Sequence, residues 1–124
     1  MLDEEDLKKL TETIIGAAFK VSNVLGCGFL EKVYENALAI ELRKQGLVAL
    51  QQFPIPVFYD SIQVGDFFAD ILVNDLVLLE LKAVRQFDEV HEAQCLNYLK
   101  GTGKPLCLLL NFGKPKVEIK RYRR

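Results

Sequence analysis

Residues 70–82 read Asp-Ile-Leu-Val-Asn-Asp-Leu-Val-Leu-Leu-Glu-Leu-Lys, and the way this stretch folds decides the rest. Aliphatic residues flank Asn74-Asp75, a pair that tolerates a tight backbone, so the spacing predicts two strands joined by a turn. Strands this apolar are normally buried. Charge inside them is costly unless it is paired or holds a cation. Glu80 and Lys82 are two apart and project from one strand face. A two-residue turn closed by Val73 and Leu76 would put Asp70 opposite Leu79, sending Asp70 and Glu80 to different faces. A joint site therefore requires an odd loop or a bulge near Asn74 to Leu76. That irregularity is the expectation, with two carboxylates and a lysine gathered at the edge of a buried sheet.

Working outward, Leu7, Leu10, Ile14, Ala17, Ala18, Val21 and Leu25 follow helical spacing, and Gly26 and Gly28 end that helix. A second helix is expected from about Leu30 to Lys44, with Val33, Ala37, Leu38 and Leu42 inward. Residues 48–59 are β-like, and Pro54 and Pro56 place them at an edge. Asp60-Ser61 turns the chain into the strand that reaches Asp70. A third helix spans Glu89 to Lys100. The wholly apolar Leu106–Leu110 reads as a central strand, and Val117–Tyr122 as a last one. The order α-α-β-β-β-α-β-β gives an α/β fold, a mixed β-sheet flanked by helices.

Composition narrows the function. The 124 residues suit one domain, 1–124, able to bury a substantial core. No apolar run reaches the length of a membrane span, so no membrane association is expected. The acidic start (Asp3, Glu4, Glu5, Asp6) is unlike a signal peptide. Cys27, Cys95 and Cys107 are scattered and read as reduced, buried thiols of a cytoplasmic protein. With one histidine, His91, a zinc site built on several imidazoles is excluded. The net charge of −1 divides into +5 on residues 114–124 and −6 on the remainder. Such a basic end attracts a polyanion or is simply a solvated tail.

Gly28-Phe-Leu-Glu31-Lys-Val-Tyr34 matches the motif of the GxxExxY proteins, and the chain from about Ile14 to Arg121 resembles that family. The family is placed in the PD-(D/E)XK nuclease superfamily, with the restriction-endonuclease-like fold. The resemblance implies a metal site of a helix glutamate, a strand aspartate and an E-x-K, falling here on Glu31, Asp70, Glu80 and Lys82. Gln94-Cys-Leu-Asn-Tyr98 also looks like the Q-x-x-x-Y helix motif of the RecB-like branch. Ala69 stands where many relatives have proline before the aspartate.

The residues can be read without the family. Glu31 and Tyr34 share a helix face, as do His91, Gln94 and Tyr98. An amide and phenols there can bond phosphate oxygens, or the tyrosines can be packing residues with a wet hydroxyl. Carboxylates plus the Leu81 backbone carbonyl are hard donors suited to Mg²⁺ or Mn²⁺. Lys82 either activates a water or remains a structural ion pair with its carboxylates. The expectation is a Mg²⁺-dependent nuclease acting on DNA or RNA. Asp70 and Glu80 hold the metal, Glu31 assists through water, and Gln94, Tyr98, Tyr34, Arg121 and Arg123 bind substrate. The alternative is a catalytically silent module of the same fold that self-assembles as a homo-oligomer or binds a partner protein; the overall acidity favours it.

Overall fold

A computed structural model describes residues 3–124. Its elements are α1 (Glu4–Leu25), α2 (Glu31–Lys44), β1 (Ala49–Tyr59), β2 (Ile62–Val73), β3 (Val77–Lys82), α3 (Glu89–Thr102), β4 (Leu106–Asn111) and β5 (Glu118–Arg123). This is the order expected from the sequence. The strands form one sheet in the order β1-β2-β3-β4-β5. Only β3 and β4 run parallel, joined through α3, so the sheet is mixed.

Burial of two sheet faces explains why the central strands are so apolar. On one face Ile14, Leu38 and Leu42 of α1 and α2 pack against Ile71, Leu79 and Leu108. On the other, Leu99 and Cys95 of α3 meet Leu72, Leu78 and Leu109. Leu106–Leu110 is buried throughout, as a central strand must be. Cys95 and Cys107 are buried as expected, whereas Cys27 lies exposed in the α1–α2 loop.

Local chemistry sets the ends of the elements. Gly26 caps α1 at φ 67°, in the left-handed range that favours glycine. The α3 start carries a capping box in which Asp88 accepts from the helix backbone and His91 accepts from Asp88 N–H. β1 is an outer strand, and Pro54 and Pro56 sit where missing N–H groups cost the ladder least. One helix face differs from the expectation. Val33 is exposed, and the inward side of the first α2 turns is instead formed by Tyr34, Glu35 and Leu38.

The β2–β3 connection has the required irregularity. Leu76 N–H bonds the Val73 carbonyl across Asn74 and Asp75, both at positive φ. The ladder itself begins one residue later, at Val73↔Val77, so Leu76 is an extra residue in the loop. Pairing continues through Ile71↔Leu79. One step further, Asp70 faces Glu80.

Candidate active site

At Asp70 the ladder ends and side chains take over its hydrogen bonds. Leu81 N–H donates to Asp70 Oδ2 at 2.8 Å, and Asp70 N–H lies 3.4 Å from Glu80 Oε1. The two strands therefore splay at this point, with both carboxylates in the notch. Lys82 follows on the same strand face as Glu80, its Nζ 3.6 Å from Glu80 Oε2. Asp70, Glu80 and Lys82 are thus brought together, as the sequence spacing suggested.

The site is electrostatically unfavourable as it stands. Glu80 is 4% exposed, and burial, reinforced by the charge of Asp70, pushes its carboxyl up to about 8. Burial also raises Asp70, opposed by its bond from Leu81 and aggravated by the charge of Glu35. Two desolvated carboxylates that disfavour each other's charge are the chemistry a divalent cation relieves. Hard oxygens fit Mg²⁺ or Mn²⁺, which retain waters and need few protein ligands. Among the described residues no group of three or more His, Cys, Asp or Glu side chains gathers as a metal cluster. The candidate donors are a pair.

Glu35 was not anticipated. It is buried on α2, accepting from Lys32, Gln51 and Gln52. Gln52 bridges onward to Asp70 Oδ1 at 3.4 Å. Gln52 takes φ 55°, a left-handed residue in the middle of β1 that turns its amide toward the two acids. Glu31, expected to assist at the metal, is exposed and its Oε2 accepts from Ala83 N–H at 3.2 Å. Glu31 and Glu35 are four apart on one helix face. That spacing aligns Glu35 with Glu31 but carries no sign of its bond to Gln52.

Tyr34 is a correction: it is wholly buried and does not offer a substrate contact. Its hydroxyl donates to the Gly26 carbonyl at 2.7 Å and accepts from Phe29 N–H, while its ring stacks on Phe112 at 4.8 Å. The glycine-to-tyrosine motif thus locks the α1–α2 loop, with Gly28 at φ 113° making the bend. A third missed residue, Asn111, is fully buried at the end of β4 beside Lys82. Its side chain accepts from Val84 and Gly113 N–H and donates to the Val84 carbonyl. Phe112 N–H also bonds the Lys82 carbonyl. The chain leaving Lys82 is clamped from both sides.

Across the notch lies α3. Gln94 Nε2 donates to Tyr98 Oη at 2.8 Å, and Tyr98 Oη is 3.4 Å from the Phe68 carbonyl. Burial first, and then the charges of Glu80 and Asp70, push the Tyr98 phenol up. Tyr98 is 3% exposed, so it orients Gln94 and floors the site. Gln94, Lys82 and His91 line a cleft of about 440 Å³ together with Phe67 and Tyr98. Arg121 and Arg123 lie elsewhere. They pair with Leu108 and Leu106, whose side chains pack toward α1, and Arg123 bonds Glu4. They occupy the sheet face opposite Glu80 and Lys82, a second correction.

A model of the PD-(D/E)XK nuclease superfamily matches residues 8–122, most of the chain. The chain belongs to the PD-(D/E)XK nuclease superfamily. The five-stranded mixed sheet with helices on both faces is consistent with the restriction-endonuclease-like fold of these nucleases. No curated protein matches the chain. Among solved structures it is similar to an alkaline exonuclease from Laribacter hongkongensis, at 14% identity and a TM-score of 0.46, over 86% of this chain and 76% of that one.

Proposed function

We propose that this PD-(D/E)XK protein, of the GxxExxY kind, hydrolyses phosphodiester bonds of DNA or RNA with Mg²⁺ or Mn²⁺. The observation that supports this reading is the convergence of Asp70, Glu80 and Lys82 at the splayed end of β2–β3, open to the α3 cleft. Asp70 and Glu80 would hold the ion, with the Leu81 carbonyl as a third oxygen. When bound, the ion supplies charge neutralisation at the phosphoryl group and a more acidic water.

The chain's own residues supply the remainder. Lys82, largely buried beside Glu80, holds the attacking water through its Nζ and takes or relays the proton that water loses. Gln94, fixed by Tyr98, directs an amide at a non-bridging phosphate oxygen. Glu35 and Gln52 hold Asp70 in place, whereas Glu31 and Asn111 fix the backbone after Lys82. Specificity beyond this comes from a second copy or a partner protein.

The test is cleavage of labelled single-stranded, duplex and RNA substrates with Mg²⁺ or Mn²⁺, compared with Asp70→Ala. Metal-dependent cutting that disappears with Asp70 is the expected result. The silent-module reading draws on the exposed apolar side chains of the β1–β2 hairpin, among them Phe58, Tyr59 and Ile62. Under that reading calorimetric titration of Mn²⁺ shows no site that Asp70→Ala removes.

A further inference from the structure

A second cleft, also about 440 Å³, runs beneath the β1–β2 hairpin and shares Phe67, Asn97 and Tyr98 with the cleft beside Lys82. The two form one groove along α3, from Lys82 past Phe67 to Lys100. We propose that this groove binds one single strand of nucleic acid, a base stacking on Phe67 and phosphates tracking from Lys82 to Lys100. The inference deepens the nuclease reading and rests on it for the identity of the occupant.

Charge favours that occupant. Outside residues 114–124 the chain sums to −6, yet no carboxylate lines either cleft, and each contains a lysine. The remaining polar groups of the walls bond phosphate or base edges readily. His91 Nδ1 accepts from Asp88 N–H at 3.1 Å, which leaves Nε2 as the ring's donor. His91, Gln94, Asn97 and Gly101 succeed one another along one ridge of α3. That ridge is about 15 Å long, room for roughly four nucleotides at a stacked spacing of about 3.4 Å.

The opposite wall selects a single strand. It is apolar, formed by Ile55, Val57 and Phe67. Between Lys44 and Lys82 the chain has neither lysine nor arginine. A duplex presents phosphates to both walls and hides its base faces, so a wall without cations gives its second strand nothing to bind. A single strand turns phosphates to one side and bases to the other, and any base has a π-face for an aromatic ring. Phe67 is 51% exposed and is held at 6.2 Å from the Tyr98 ring. It is therefore available for stacking and supported from below.

The protein contains no tryptophan, so Phe67→Trp creates a sole reporter at the proposed contact. The variant is titrated in EDTA, to prevent cutting, with oligothymidine, an abasic strand of equal length, and a blunt duplex. Saturable quenching by oligothymidine alone is expected. Phe67→Ala should bind oligothymidine roughly ten- to a hundredfold more weakly, with Phe67→Tyr restoring affinity. Equal quenching by duplex, or none by oligothymidine, overturns the proposal. So does an emission change on raising protein concentration alone, which would show a second copy on this wall. Cleavage with metal is scored separately: quenching without cutting defeats the nuclease reading and leaves the groove, and cutting without quenching does the reverse.

Discussion

Lys82 and Asp70 stand close together but have separable roles. Lysine is not a ligand, so Lys82→Ala should lower turnover by roughly 10²–10⁴-fold while Mn²⁺ affinity by calorimetry is retained. Asp70→Ala should remove metal binding and cleavage together; equal turnover in the Lys82 variant would sink the mechanism. Glu80 makes a pH prediction. Its carboxyl rises from 4.5 to about 8 on folding, so between these values the native state holds a proton that the unfolded chain releases. This stabilising contribution is complete below about 4.5 and is lost as pH rises through about 8. Metal-free protein should therefore become less stable with rising pH across that window, by at most about 1.4 kcal/mol per unit. Melting curves should show the slope reduced in Glu80→Gln, where the raised Asp70 carboxyl leaves part of it, and diminished by Mn²⁺, which replaces the proton. A slope unchanged in Glu80→Gln would contradict this assignment.

Among the elements, the segment after Lys82 is held by Glu31, Asn111 and a close approach of Gly113. A Cβ on Gly113 would lie 2.4 Å from both N and O of Val84. Gly113→Ala should therefore destabilise the fold by about 1–3 kcal/mol. It should also reduce cleavage in the protein that remains folded, since Val84 and the end of β3 must shift. A melt paired with an assay well below the melting temperature checks both effects. The elements themselves were legible in the sequence because helical spacing in α1 and aliphatic runs in β3 and β4 are direct images of what they bury. The acidic pair was legible from spacing alone, once the loop was required to be odd. Glu35 and Gln52 were not. Glu35 resembles a solvated helix residue until Gln52 is known to take a left-handed turn in β1, and no periodicity reports that. Asn111 escaped for a similar reason: its partners are backbone groups, which a residue pattern cannot identify.

At the scale of the whole molecule, charge is distributed by face more than by position in the chain. By sequence the basic end is the natural nucleic-acid contact, but alternation splits it. Arg121 and Arg123 face α1, while Lys120 shares the face of Leu109 and lies over the Phe87 ring. Replacing Arg121 and Arg123 with Ser should leave single-strand affinity unchanged. Lys100→Ala should lower its salt slope by about 0.7, the value for one phosphate on a single strand. Filter binding at several salt concentrations distinguishes the two; a fall in slope for the arginine pair would return the contact to the tail. The outer strands carry a further consequence. Sheet margins are where proteins seed fibres by accepting a foreign strand. β1 offers proline rings at 54 and 56, and β5 offers Lys120, Arg121 and Arg123, so each margin refuses such an addition by a different means, one steric and one by like charge. This chain should stay dispersed at concentrations where a version with valine at both proline positions turns thioflavin-positive.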